Sequence, residues 1–481
     1  MTESWVVEET RTVDLKDRRL NARLREVLTQ LGEHPTASIP AACGGHAEMT
    51  AAYRLFDNEN ATFARILAPH TEATRVRLGA QETVLLVQDT TEIDVTRPTQ
   101  PVAGAGPLDG SIRRGMFLHL LHVFTPDGTP LGTLEGIPWA RQEGARAPLS
   151  RAQRAATPIE NKESYRWVQT LSKAQDEATR CPGTHFICVA DSEADIYELL
   201  TAAQVEPRPI DWIVRSCQDR VLQHDANDAA AHYLHDYVLA QPRLFPQTIS
   251  VRGREPKFGC ETRGRRQARR SRQAQVEVRS ARVTLRPPRR PDRTLPELEV
   301  NVVLVQEVDA PKDDEPIEWL LLTSLPVVEA TQACKVIQYY CGRWMIEILF
   351  RVLKSGCRVE ERRFERLDRL QTCLAVYLIV AWRTLYVCRL ARACPDTSCE
   401  AVFEPAEWKS VWKVVRRSEP PPQPPTLGEM TRMVAELGGY IRRKSSPPGP
   451  QTVWIGLQRA HDFALCWTTF GPEATVRSRD V

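Results

Sequence analysis

A chain of 481 residues is too long for one ordinary hydrophobic core, because single domains cluster near about 100–150 residues, so two to four domains are expected. A hydrophobic fraction of 42 % and a charged fraction of 26 % are close to globular averages and exclude a wholly disordered, fibrous or collagen-like chain. The net charge of +3 hides an uneven distribution: positions 252–293 hold fifteen Lys and Arg against four Asp and Glu, a local +11 that leaves −8 for the remainder. Arginine concentrated in this way suits a polyanion, since guanidinium forks pair with phosphate oxygens and each neutralised phosphate releases counterions. Nucleic acid is the partner this indicates, with a solvated basic loop as the plainer reading of 261–273. The longest apolar run, 373–382, is shorter than the roughly 20 residues that cross a bilayer, and the N-terminus has no charged-then-apolar signal pattern. A protein that meets no membrane and stays in the cytoplasm is expected. Thirteen cysteines without C-x-x-C pairs fit a reducing compartment.

Residues 1–79 read as helical. Leu15, Leu20, Leu24, Val27, Leu28 and Leu31 recur at helix spacing, with Gly32 as a stop signal. A second helix fits 47–56, and a third fits 63–78 after Thr62 as N-cap, bent or restarted at Pro69. From Thr83 the pattern changes to short apolar strands at 83–89, 116–124 and 129–137, the last two separated by the turn Pro126-Asp127-Gly128. A helix at 162–174, a strand at 185–191, a helix at 194–203 and a strand at 211–216 follow, which indicates an α/β or α+β core around a central sheet. Alternating segments at 276–285 and 299–308 predict an extra antiparallel sheet beside the basic stretch. After the strand 318–326 a long helix is expected over about 328–355, and beyond 400 the chain becomes proline-rich at 420–425 before one more helix at 429–437.

Asp89 and Asp191 each end an apolar strand, where a sheet delivers its last side chain to the crevice outside the strand's carboxyl end. Two hard cations held by carboxylates about 3.5–4 Å apart can activate a nucleophile and stabilise the leaving oxygen of a phosphodiester. An Asp after a strand is equally an ordinary turn or N-cap residue, and Glu193, Asp195 and Glu198 compete with Asp191. Tyr340, Arg343, Glu347 and Lys354 fall within about a 60° arc of one helix face. That face offers one more carboxylate and several phosphate donors, or else a solvent face with an Arg343–Glu347 pair. Gly342 costs about 1 kcal/mol there relative to Ala, so a bend or later start is expected. Trp319 reads as core, or as a platform for an unpaired base.

Taken in order, QDTT (88–91), DSEADIYELL (191–200), EWLLLTSLPV (318–327) and YCGRWMIEILFRVLKSG (340–356) resemble the DDE transposases of the insertion-sequence-four family, close to its hairpin-forming cut-and-paste members. The Tyr-x2-Arg-x3-Glu-x6-Lys spacing is intact. Residues 45–62 resemble the helical end-binding domain, and 436–460 the C-terminal segment implicated in pairing. The resemblance implies an α/β fold with a ribonuclease H-like catalytic core over 80–370. It adds a β-strand insertion at about 246–317, an N-terminal helical DNA-binding domain over 1–79 and a C-terminal helical dimerisation region over 371–481. It implies Asp89, Asp191 and Glu347 as a metal-binding triad using Mg2+ or Mn2+. Tyr340, Arg343 and Lys354 are then expected on end phosphates, Trp319 on a flipped base, and Arg215 and Arg363 along bound DNA. The implied partners are transposon ends and target DNA, gripped by a homodimer that is nucleoid-associated when bound. A structure-selective nuclease and an inactive DNA-binding derivative are the alternative readings.

Overall fold

The computed structural model describes residues 4–97, 100–109, 112–142, 144, 150, 153, 156–205, 209–223, 233–251, 253, 270–291, 293–312, 314–441 and 447–472. The first five helices are α1 (Trp5–Glu9), α2 (Arg18–Glu33), α3 (Ile39–Cys43), α4 (His46–Phe56) and α5 (Phe63–Gly79). Asp17 and Thr62 cap α2 and α5 by accepting backbone N–H groups of Arg19 and Arg65, and Leu24, Val27, Leu28 and Leu31 are buried at helical spacing. The expected stop at Gly32 is not observed, because α2 runs on to Glu33. Glycine is needed there for packing: a Cβ would lie 2.8 Å from Cζ2 of Trp5. Likewise α5 passes through Pro69 without restarting.

A ten-stranded mixed sheet forms the centre of the molecule. Its strands are β1 (Thr83–Asp94), β2 (Gly106–Pro107), β3 (Arg114–Phe124), β4 (Pro130–Trp139), β5 (His185–Ala190), β6 (Asp211–Arg215), β7 (Phe245–Val251), β8 (Arg272–Leu285), β9 (Leu298–Glu307) and β10 (Glu318–Thr323). They lie in the order β2-β3-β1-β5-β6-β10-β9-β8-β7, with β4 also paired to β3. β1 is antiparallel to β3 and parallel to β5, and β5 is parallel to β6. The segments expected to form an extra antiparallel sheet instead continue the central one. β10 pairs with β6 on one edge and with β9 on the other, so the insertion joins the core through shared hydrogen bonds.

Both faces of β1 and β5 are covered, which is why they read as unbroken apolar runs. Leu85, Val87, Ile187 and Val189 point to one face and pack in a core with the N-terminal helices. That core also takes in α9 (Ala330–Gly342), α10 (Trp344–Arg351) and α11 (Leu367–Ala393). Val84, Leu86, Phe186 and Cys188 point the other way, against α6 (Tyr165–Arg180) and α7 (Tyr197–Ala203). A short helix, α8 (Leu234–Leu239), packs on β8 and β9. Helix α11 is long and apolar enough to cross a membrane by length and composition, but 78 % of its apolar window is buried against α2, α5 and β4, the position of a central core helix. Past it, α12 (Pro405–Arg416), α13 (Leu427–Leu437) and α14 (Pro450–Phe470) enclose a smaller core with Trp408, Val411, Met430 and Met433.

Candidate active site

The parallel ladder of β1 and β5 runs from Thr83–His185 to Val87–Val189. Two residues further on, the same register sets Asp89 level with Asp191, just past the end of β5. The turn reading and the ligand reading of Asp191 use different oxygens. Its Oδ1 accepts the Glu193 N–H at 2.8 Å and caps a short 3-10 turn, which leaves Oδ2 for chemistry. The competitors have other engagements. Asp195 Oδ2 accepts from the Ser216 hydroxyl and from the backbone N–H groups of Cys217 and Gln218 at 2.8–3.0 Å, and Arg220 pairs with its Oδ1. Arg290 holds Glu198 at 2.7 Å, and Glu193 is exposed.

Glu347 comes from α10, which packs on β1. The expected single helix over 328–355 is in fact three pieces. α9 ends at Gly342, Arg343 joins it to α10, and residues Val352–Gly356 form a wider π turn. Gly342 permits the close approach, since a Cβ would stand 2.8 Å from Leu85 Cδ1 on β1. Lys354 lies within this π turn rather than in α10. Its Nζ lies 3.9 Å from Glu360 Oε1, which accepts the Asp94 N–H at 3.0 Å, at the end of β1.

Arg343 is the hub of the site. Its Nη1 donates to Asp89 Oδ2 at 3.0 Å and its Nη2 to Glu347 Oε1 at 2.5 Å, so the surface ion pair considered from the sequence is part of a largely buried bridge. Burial opposes the guanidinium charge, but Asp89, Tyr340, Glu347 and Asp191 outweigh it and raise the Arg343 pKa. Burial pushes Asp89 up to about 8; Arg343 offsets part of that shift, while the charges of Asp191 and Glu347 add to it. Tyr340 is also raised by burial, and its ring meets the half-buried Trp319 edge to face at 5.2 Å. Arg215, at the end of β6, donates to Ser192 Oγ at 3.2 Å beside Asp191. Arg363 is exposed and lies near Arg97.

Three oxygen-donor carboxylates repelling one another around a buried Asp are a donor set suited to a hard divalent cation such as Mg2+ or Mn2+. Sequence reasoning missed a buried chain behind Asp89. Thr90 Oγ1 contacts His119 Nδ1 at 2.8 Å, His119 Nε2 contacts Thr170 Oγ1 at 3.1 Å, and that hydroxyl donates to Gln88 at 2.6 Å. Burial pushes His119 down to about 3, so it is a neutral positioning group. The available signal was a histidine within an apolar strand.

The basic stretch divides. Positions 252 and 254–269 lie outside the described residues. Several of the later arginines make ion pairs: Arg272 with Glu307 and Asp314, Arg282 with Glu299, Arg290 with Glu198 and Arg293 with Glu160.

Residues 2–61 match the family described as transposase DNA-binding, 163–382 the transposase DDE domain and 379–466 the transposase Tn5 dimerisation domain. The DDE match contains Asp191 and Glu347 and begins after Asp89. The mixed α/β sheet with its convergent carboxylates thus lies between a stretch that matches a DNA-binding domain and one that matches a dimerisation domain. More closely, the central match, over 163–382, is to the transposase DDE domain. Among solved structures it is similar to a piggyBac transposase synaptic complex with hairpin DNA, at 10 % identity and a TM-score of 0.30. That likeness covers 65 % of this chain and 48 % of the other, so the chain spans about half the length of that relative.

Proposed function

We propose that this protein is a DDE transposase that works by cut and paste, as in the hairpin-forming members of the insertion-sequence-four family. One strand is nicked at each transposon end, the freed 3′-hydroxyl attacks the opposite strand to give a hairpin, and the reopened end is joined to target DNA. The observation that carries this reading is the convergence of Asp89, inside β1, which runs on to Asp94 rather than ending there as the sequence suggested, and Asp191, just past the end of the adjacent parallel β5, with Glu347 from the helix packed on β1. The path β4-β3-β1-β5-β6, antiparallel and then parallel, supports a ribonuclease H-like core. Asp89, Asp191 and Glu347 would hold two Mg2+ or Mn2+ ions, which supply activation of the attacking oxygen and stabilisation of the leaving one.

The chain's own residues orient the DNA. Arg343 holds Asp89 and Glu347 in line with each other, and Tyr340, Arg215, Lys354 and Arg363 bind phosphates of the transposon end. Trp319, half-buried against Tyr340, retains surface on which a flipped base can stack. Two chains pair through the C-terminal region to form the synapse, in the cytoplasm and on the nucleoid. The test is a Mg2+-dependent cleavage and joining assay on the DNA flanking the gene, with Glu347→Gln as control. Hairpins and joined ends that the substitution abolishes are expected. Cleavage without end preference would instead identify a nuclease, and end binding without cleavage a DNA-binding derivative.

A further inference from the structure

A second group of side chains with metal-ligand chemistry stands apart from the carboxylate site. Glu33 ends α2, His34 follows it, and both meet His461 of α14, with one ligand atom from each within 4.8 Å of the others. His461 Nε2 stands 3.3 Å from Glu33 Oε2, and the two imidazoles meet edge to face with centroids 5.6 Å apart. A separation of 3.3 Å is the edge of a tetrahedron with bonds of about 2.0–2.1 Å, the lengths zinc takes to imidazole nitrogen and carboxylate oxygen.

The surroundings are short of positive charge. A carboxylate on the last residue of α2 faces the negative end of its helix dipole. Burial, then the charges of Glu407 and Glu404, push Glu33 up to about 7. Glu407 is itself raised, by burial and by Glu404, although Arg383 partly offsets this. The frame is set without an ion, because Gln458, one turn before His461, donates to Thr36 Oγ1 at 2.8 Å and fixes α14 against the segment after α2.

We propose that Glu33, His34 and His461 form a site for a zinc-class transition-metal ion that ties the end of α2 to α14. Two imidazoles and one carboxylate, with a fourth position open to water, select a borderline ion over Mg2+, which prefers oxygen ligands and keeps its waters. This site and the oxygen-only triad therefore take different ions. The link would join residues inside the DNA-binding match to residues inside the dimerisation match.

The experiment is a titration of metal-stripped full-length protein with Co2+ and then Zn2+, in buffer without Mg2+. One equivalent of Co2+ is expected to give the visible absorption of a tetrahedral nitrogen and oxygen site, and Zn2+ to displace it. Glu347→Gln should bind equally well. His461→Ala should bind at least about 100-fold more weakly, since even ligand-supporting neighbours cost 10–100-fold. Zn2+ should raise the unfolding temperature of the wild type and not of His461→Ala. Should His461→Ala lose its circular dichroism, His34→Gln provides the same reading. Equal binding by the wild type and these variants, or no binding at micromolar metal, would overturn the proposal and leave Glu33 and His461 as a polar contact between α2 and α14.

Discussion

Replacing Asp89 by Asn should favour the metal-free variant over the wild type increasingly as pH rises from 5 towards 8. Asp89 titrates at about 8 in the folded chain against an ordinary value of 3.8, so between these values the folded state holds a proton that the unfolded chain has released. The stability tied to that proton is complete below the unfolded value and is lost as pH rises through the folded one. From pH 5 to pH 8 the difference covers three units at 1.36 kcal/mol each, at most about 4 kcal/mol. Asp89 accepts the Thr90 N–H on Oδ1 at 2.8 Å and Arg343 Nη1 on Oδ2 at 3.0 Å; Asn keeps one of these acceptors, so the substitution removes the buried charge and one hydrogen bond, and only the loss of charge depends on pH. The assay is urea unfolding with chelator at about pH 5 and pH 9, followed by tryptophan fluorescence. Glu33 also titrates in this window, but equally in both proteins, so the gap between variant and wild type isolates Asp89. A gap that does not move in the variant's favour as pH rises would refute the reasoning.

Gly342→Ala should lose more from the contact with Leu85 than the roughly 1 kcal/mol it gains in helix propensity. Single-turnover cleavage should fall with it as Arg343 and Glu347 shift, and a stabilised, fully active variant would contradict this. Arg362 and Arg363 are neighbours with different work. Buried Arg362 donates to the carbonyls of Ala37, Pro35 and Cys357, so Arg362→Ala should cost about 3 kcal/mol or more in denaturant unfolding. Exposed Arg363→Ala should leave stability within about 0.5 kcal/mol while reducing the salt dependence of DNA binding by about one phosphate contact, measured by titration at several salt concentrations.

The parts of the fold legible in the sequence were those set by local pattern. β1 and β5 announce themselves as apolar runs because both of their faces are buried, and Asp89 and Asp191 stand out because they follow such runs. The parts that depend on distant pairing were not legible. Nothing within 276–308 shows that β9 will meet β10 and extend the central sheet, since that register is set across the chain. The break at Arg343 was foreshadowed by Gly342, but the π turn at Val352–Gly356, which holds Lys354, carried no signal. Arg272 and Arg290 read as polyanion ligands because Glu307 and Glu198, which hold them, lie 35 and 92 residues away. The same distance effect hid His461, whose partners are near the other end of the chain and share no motif spacing with it.

The central claim is that Asp89, Asp191 and Glu347 hold the reaction's metal ions together. Iron-directed hydroxyl-radical cutting tests it most directly, with Fe2+ in place of Mg2+, ascorbate and peroxide added, and the protein fragments mapped. The account predicts backbone cuts beside all three residues, suppressed together by excess Mg2+ and lost in Glu347→Gln. Cuts beside only one of them, or cuts that Mg2+ does not suppress, would contradict it.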